Sequence, residues 1–452
     1  MSVRRVIIIG GDAAGMSAAS RVRKLLPDAE VVVYEAGAYV SYSACGMPFH
    51  VAGVVSEFSS LLHYPVEKFE KERRIQIRLH SRVTEIDTEK KMIRFLSNGV
   101  PERDHFDRLI IATGASPKVP PDLAGLNAVR TLRTLNDLDA FEELTNRASH
   151  ITIVGAGYIG LELSESFRML GKDVRIVQRS DRILRGYDTE LSKQIVDEVV
   201  GNGIRIDFKT EIEKVEERGT DVHIWTKDGS EFDTDMIVAA TGVTPNSALA
   251  SSAGIALGTS GAIKVNEYME TSAPGIFAAG DVATTFNMIT GESIYMPLAT
   301  GSNKSGRIAG ENAAGGRVRW TGVAGTEVVK VFSLEVGRTG IDEKDAVSHG
   351  FEPVSSTITS TTRSAYYPGA GPLTIRLMAD RKSHRFLGGN IIGKEGVAKR
   401  LDVLATAIAS GMTVDQLVTV DYSYSPPFAP AWEPIGVAAD VLSGILHYQA
   451  PD

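Results

Sequence analysis

Cysteine is almost absent: the 452 residues contain one, Cys45. No disulfide can close within the chain, and no Cys-rich metal site can form. Long apolar runs are also missing. None approaches the roughly 18 residues expected of a membrane span. The opening Met-Ser-Val-Arg-Arg-Val-Ile-Ile-Ile-Gly leaves no room for a signal peptide's apolar core before glycine intervenes. There is no basic excess. Lys+Arg number 48 against 56 Asp+Glu, a formal net charge of −8, which argues against a nucleic-acid binder. The 9 histidines show no His-x-x-x-His spacing and no His/Asp cluster, so no metal is expected. Low-complexity tracts are missing as well. These absences predict a soluble, cytoplasmic protein that binds neither nucleic acid nor membrane.

What the chain does have is apolar content and glycine. Hydrophobic residues make up 43%, enough for packed cores, and the length suggests about two to four domains. The 44 glycines call for many tight turns or close backbone approaches. An internal repeat explains part of that excess. Val6–Ile9 reads as a strand, followed by the turn Gly10-Gly11-Asp12-Ala13-Ala14-Gly15, a helix from Met16 to Leu26 and a strand Val31–Tyr34 ending at Glu35. Ile151–Val154, the turn Gly155-Ala156-Gly157-Tyr158-Ile159-Gly160, a helix through Leu170 and a strand Val174–Val177 repeat the pattern. Each is a β-turn-α-β unit whose glycines let a pyrophosphate approach a helix N-terminus.

Both copies end on matching punctuation, Ala112-Thr113-Gly114 and Ala240-Thr241-Gly242, each after an apolar strand. Met92–Leu96 and Val222–Thr226 read as strands of small antiparallel inserts. A third region, after 315–317, alternates apolar and polar residues through Val328–Leu334 and Leu373–Met378. It continues into a helix over Gly396–Ala409 and a Pro/aromatic tail, Tyr422–Trp432. The fold class predicted is α/β: two doubly wound dinucleotide-binding domains plus a C-terminal α+β domain.

The turns differ informatively. In the first, Asp12 replaces the second consensus glycine, placing a carboxylate near phosphates unless the loop turns it away. Glu35, 20 residues after Gly15, is where an acid binds ribose hydroxyls. In the second copy that position is Gln178, followed by Arg179 with Arg182 nearby. A missing acid beside arginine suits a 2′-phosphate, so NADPH is expected ahead of NADH. The alternative is that these arginines are ordinary solvated charges.

Gly10–Gly15 with Glu35, Ala112-Thr113-Gly114, Gly155–Gly160 and Ala279-Gly280-Asp281 together resemble the flavoprotein disulfide reductases, along the whole chain. The resemblance implies FAD on the first unit and NAD(P)H on the second. It also implies a FAD-binding domain over 1–118 and 245–322, an NAD(P)H-binding domain over 119–244 and a homodimerisation domain over 323–452. FAD would be met by Gly10, Gly11, Ala14, Gly15, Glu35, Ala112, Thr113, Gly114, Gly280, Asp281, Ala299 and Thr300, with Gly242 a further cofactor contact. NAD(P)H would be met by Gly155, Gly157, Tyr158, Ile159, Gly160, Glu162, Gln178 and Arg179. Asp281 would hold the ribityl chain, and Tyr158 would gate the nicotinamide pocket beside Glu162.

Cys45 stands in Ser41-Tyr42-Ser43-Ala44-Cys45-Gly46-Met47-Pro48, ten residues after Glu35. A lone cysteine is usually an inert buried thiol. This setting predicts a loop or helix start near the flavin, with Gly46 allowing approach to the ring and Pro48 in the first helical turn. It resembles the single-cysteine branch of the family: coenzyme A disulfide reductases, NADH oxidases and peroxidases, and persulfide reductases. Oxidases and peroxidases resemble one another in a first-loop histidine where this chain has Ala13. Ala365-Tyr366-Tyr367-Pro368-Gly369 and Tyr422–Phe428 are similar to the tyrosine segments of coenzyme A disulfide reductases. That resemblance implies catalytic Tyr366 and Tyr424, reaching Cys45 from a partner subunit. Tyr367 and Tyr422 are left as packing aromatics. It also implies coenzyme A bound as a thiol by Ser17, Arg21, Lys24, Ser41, Arg73 and Asn303, with Ala44 departing from the branch's usual Asn. His50 and His63 read as structural or surface residues.

The function expected is reduction of coenzyme A disulfide, or a related small-molecule disulfide, by NAD(P)H. A persulfide or polysulfide reductase and an NADH oxidase are the alternatives among enzymes, and a flavin-bearing redox sensor the alternative outside them. A fused sulfur-transfer domain is not expected after residue 452.

Overall fold

The structure, a computed structural model, describes residues 3–219 and 221–448. It divides into two compact units. The first comprises 1–148, 239–286 and 292–322; the second comprises 149–238, 287–291 and 323–452.

The first unit is built on a five-stranded parallel sheet. Its order is Ile276–Ala278, Arg108–Ile111, Arg5–Ile9, Glu30–Tyr34 and Gln76–Arg78. Val6, Ile7, Ile8, Leu109, Ile110 and Ile111 have no exposed surface. A parallel strand covered on both faces must be apolar throughout, which is why these segments read as runs without alternation. The antiparallel insert Ser81–Asp87, Met92–Ser97 and Val100–His105 forms as expected.

Two helices pack against each other in this unit, Ala13–Leu25 and Ala299–Ala313. Their backbones meet with no side chain between them. A Cβ on Gly306 would lie 2.2 Å from the Ala14 carbonyl oxygen, and one on Gly310 would lie 2.5 Å from that of Ala18. Glycine four residues apart opens a groove on one helix face that receives the first helix.

The second unit holds a sheet ordered Arg205–Phe208, Asp173–Gln178, His150–Val154 and Met236–Ala239, with its own antiparallel insert. It also holds an antiparallel sheet ordered Glu327–Val331, Leu334–Gly340, Phe386–Gly393, Pro372–Asp380 and Pro353–Thr361. Val328–Leu334, read as one alternating stretch, is a hairpin: Val331 pairs with Leu334 around Phe332, whose φ is 51°. Leu373–Met378 does not alternate in burial, because it is an inner strand covered on both faces. Gly396 caps the helix Val397–Ala409 at φ 73°, and Val397, Leu401, Leu404 and Ile408 are buried along it. The helix Pro434–His447 was not anticipated. Its Ile435, Ala438, Ala439, Leu442 and Leu446 enter the core at helical spacing. Among the described residues, no helix is long and apolar enough to cross a membrane.

The seating of the first helix is testable. Gly306→Ala should drive a methyl into backbone that cannot yield, an overpacking cost of about 1–3 kcal/mol. We expect the Tm to fall by roughly 2–10 °C in thermal unfolding.

Candidate active site

The two glycine turns are built alike. Gly10 N–H donates to the Tyr34 carbonyl at 2.8 Å, and Gly155 N–H to that of Val177 at 2.9 Å. A Cβ on Gly15 would lie 1.9 Å from the Gly10 oxygen, and one on Gly160 would lie 2.1 Å from the Gly155 oxygen. Each helix therefore starts immediately over its strand, with backbone N–H groups facing outward. Glu35 accepts hydrogen bonds from Gly11 N at 2.8 Å and Gly37 N at 2.6 Å. Gln178 takes the same place in the second turn, accepting from Ala156 N at 3.2 Å and donating to Ser180 Oγ and the Arg182 carbonyl.

The remaining first-unit candidates gather at the carboxyl end of its sheet. Thr113 and Asn246 exchange hydrogen bonds at 2.9 Å, fastening Ala112-Thr113-Gly114 to the returning chain. Gly242 is tied there through its carbonyl to Lys118 N. Gly280, at φ 77°, lies so close to the first helix that a Cβ would approach that of Ala14 to 2.7 Å. Asp281 is held on both oxygens, by Arg133 Nη2 at 2.6 Å and Ser302 Oγ at 2.6 Å. Ala299 and Thr300 open the helix carrying Ser302. Arg133, which sequence reasoning missed, also donates to the Ala115 carbonyl at 3.1 Å.

Asp12 turns toward the cysteine loop, where its Oδ1 accepts from Tyr42 N at 3.4 Å. Burial pushes its carboxyl up to about 6, opposed by the Tyr42 N–H and the Arg133 charge. Its φ of −102° is one any residue adopts, so the missing glycine costs no backbone strain.

Cys45 lies in the single turn Ala44–Gly46 that leads into the helix Met47–Val51, and it is exposed. Pro48 occupies the first helical turn as expected. Gly46 also packs closely on Leu61: a Cβ there would lie 2.7 Å from Leu61 Cδ2. Ser41 has φ 53° and binds the Gly11 carbonyl through its N–H at 2.9 Å. His63 Nε2 meets Ser43 Oγ and His50 Nδ1 meets the Val55 carbonyl, the structural roles expected of both.

The thiol-binding candidates share a face of the paired helices. Ser17 Oγ donates to Asn303 Oδ1 at 2.9 Å, and Arg73 to Ser20 Oγ at 2.9 Å, its guanidinium over the rings of Tyr64 and Phe69. Arg21 is neutralised by Glu311, while among the described residues Lys24 and Arg73 make no ion pair with a carboxylate.

In the second unit, Ile159 is exposed while the Tyr158 hydroxyl is buried against Tyr187, with its acidity suppressed by burial. Burial, with the Glu165 charge adding to it, pushes Glu162 up to about 7. Arg179 and Arg182 are exposed. The two tyrosine segments lie side by side. Arg400, 8% exposed, pairs with Glu433 at 2.6 Å and donates to the carbonyls of Thr362 and Phe428. Ser364 N–H reaches the Pro426 carbonyl. Tyr366 and Tyr424 are 76% and 51% exposed, whereas the Tyr422 hydroxyl donates to the Leu417 carbonyl, the packing role expected of it.

The profile described as pyridine nucleotide-disulphide oxidoreductase matches residues 4–306, and that of the family's dimerisation domain matches 326–434. The chain belongs to the pyridine nucleotide-disulphide oxidoreductases. It is 38% identical to the NAD(P)H sulfur oxidoreductase (CoA-dependent) of Pyrococcus furiosus, over 98% of this chain and 100% of that one. Among solved structures, it is similar to the reduced CoADR-RHD of Bacillus anthracis, with a TM-score of 0.96 and 33% identity, covering 99% of this chain and 81% of that one. It is also similar to an NAD-dependent persulfide reductase from A. fulgidus, with a TM-score of 0.94 and 37% identity over 98% and 83%.

This chain is an NAD(P)H-dependent, FAD-containing oxidoreductase of the disulfide and persulfide reductase kind. The first turn fits FAD. Close packing keeps Gly10, Gly11 and Gly15 free of side chains, which leaves the turn's backbone bare at the start of the helix, and Asp12 is turned aside toward Tyr42.

The raised Glu162 carries a pH consequence. The folded chain holds this proton more tightly than the unfolded chain does. Stability is therefore unaffected below about pH 4.5 and falls as the pH rises to about 7. Glu162→Gln should remove that loss, on the order of 2–3 kcal/mol. Without nucleotide, its Tm should exceed the parent's at pH 8 and converge with it toward pH 5.

Proposed function

We propose that this protein reduces coenzyme A disulfide with NADPH, cycling through a mixed disulfide between Cys45 and coenzyme A. The observation that carries the reading is the exposed thiol of Cys45, the chain's one cysteine, on a loop fastened to the turn whose helix presents Ser17, Lys24 and the Arg73 contact. Bound FAD would supply two-electron transfer from the nicotinamide to the mixed disulfide, releasing its coenzyme A as thiol and regenerating the Cys45 thiolate. The chain's own residues do the rest. The Cys45 thiolate attacks one sulfur of the disulfide; a Cys45–S–S–CoA bond forms, the substrate S–S bond breaks, and one coenzyme A thiolate leaves. Tyr366 and Tyr424 of the second chain in a dimer donate protons or hydrogen bonds to the leaving thiolate. Ser17, Lys24, Ser41, Arg73 and Asn303 hold the nucleotide end, with Arg21 acting through its pair with Glu311.

A second reading is favoured by the relatives named as a CoA-dependent sulfur oxidoreductase and a persulfide reductase. There Cys45 and coenzyme A work on a persulfide or polysulfide. Reducing the purified protein and weighing what it releases tests the shared step. Coenzyme A supports both readings, and side-by-side rates with coenzyme A disulfide and polysulfide divide them. Cys45→Ser should retain FAD and lose more than about tenfold of disulfide-dependent NADPH oxidation, a barrier change above roughly 1.4 kcal/mol.

Gln178 with Arg179 supports NADPH as the better cofactor. Arg179→Ala should lower kcat/KM for NADPH by roughly tenfold or more, the worth of one charge-assisted contact, and leave NADH unchanged. A parent enzyme that prefers NADH would make Arg179 a surface charge.

The shared site is tested by mixing Cys45→Ser and Tyr424→Phe chains under conditions of subunit exchange. Losing a general acid costs about 10²–10⁴ in rate. A site shared across the dimer gives each mixed pair one intact site, so activity returns. A site within one chain leaves every site defective.

A further inference from the structure

The sequence shows no metal-ligand spacing, yet the fold brings three such side chains together in the second unit. His384 lies in the turn between Pro372–Asp380 and Phe386–Gly393, Asp415 in the short helix Val414–Val418, and His447 at the end of Pro434–His447. Their ligand atoms all lie within 4.8 Å of one another. Each carboxylate oxygen of Asp415 faces one imidazole: Oδ2 is 2.7 Å from His384 Nδ1, and Oδ1 is 3.2 Å from His447 Nε2. The rings meet edge to face at 4.7 Å.

From this convergence we infer that His384, Asp415 and His447 form a binding site for a borderline divalent cation, Zn²⁺, which clips the C-terminal helix to the sheet it packs on. Two imidazoles and a carboxylate suit zinc and its neighbours and do not suit Mg²⁺ or Ca²⁺. Zinc ligands sit at about 2.0–2.2 Å, so the three groups close on an ion by shifts of about 1 Å or less. His384 coordinates through Nδ1 and keeps its proton on Nε2; His447 coordinates through Nε2 and keeps its proton on Nδ1. Both imidazoles stay neutral, and the fourth position is left to water.

The surroundings prepare the ligands. Ser443 Oγ donates to Asp415 Oδ1 at 2.5 Å and orients the carboxylate. His384 is fixed from the backbone: its φ is 55°, its carbonyl accepts from Val414 N at 2.8 Å, and its N–H donates to the Asp380 carbonyl at 2.9 Å. Thr413 and Gln416 form a capping box that sets the helix bearing Asp415. His447 is the adjustable member, with its side chain 59% exposed.

The test uses the full-length, tag-free, FAD-loaded protein carrying Cys45→Ser, so that the thiol cannot hold zinc. Uptake of Zn²⁺ is measured by equilibrium dialysis from nanomolar to submillimolar, and thermal unfolding is followed over the same range. One Zn²⁺ per chain is expected, with a Tm that rises with zinc and not with Mg²⁺. His384→Gln and His447→Gln should each weaken uptake by at least about tenfold and abolish the rise. His447→Gln, at an exposed helix end, keeps the test open if His384→Gln misfolds. No uptake by the parent chain overturns the proposal, leaving an ion-paired His–Asp–His cluster. Undiminished uptake by folded His447→Gln also overturns it.

Discussion

A helix that starts against the oxygen of its own turn governs the nucleotide end of the first unit. Any side chain at Gly15 would strike the Gly10 carbonyl, and any at Gly306 would strike that of Ala14. The first helix is thus gripped at its start by the strand turn and along its length by a neighbouring helix, by backbone in both places. Backbone does not change rotamer, so the grip leaves little freedom. Gly280, Asp281 and Ser302 take their positions from it, because Gly280 abuts Ala14 and Ser302 belongs to the gripping helix. The cysteine loop follows too, through the Gly11 carbonyl and the Asp12 carboxylate.

The two turns, so alike in backbone, are divided by one atom type. Glu35 and Gln178 meet the same N–H of their respective loops, and only one brings a charge. A carboxylate already tied to Gly11 and Gly37 accepts further donors and repels phosphate; a neutral amide spent on Ser180 and Arg182 does neither. The proposed preference for NADPH would thus rest on side chains whose positions the shared turn has already fixed.

Much of this was legible because it is local and periodic. Apolar runs ending in glycine, an acid at a fixed distance and a cysteine beside Gly-x-Pro are short-range patterns. Single side chains that act at long range were invisible. Arg133 meets Asp281 across 148 positions, and Arg400 meets Glu433 across 33. Each sits in a stretch whose pattern reads as ordinary loop or helix. His384, Asp415 and His447 lie on three segments whose registers no sequence spacing reveals. The hairpin at Phe332 was missed because a two-residue turn without glycine interrupts no alternation. The last helix was missed because its apolar stripe, Ile435 to Leu446, lies beyond the Pro/aromatic tail, where no capping residue or glycine marks its start.

The Arg400–Glu433 pair has a consequence for assembly. By bonding the carbonyls of Thr362 and Phe428 from inside the unit, it immobilises both tyrosine segments while their rings still face outward. Their chain entropy is surrendered when a single polypeptide folds, before any second surface arrives. A surface ordered in advance docks close to rigidly, with little further loss of freedom. The heat capacity of such an association should therefore reflect the apolar area the rings cover, with no added contribution from ordering the loops that carry them.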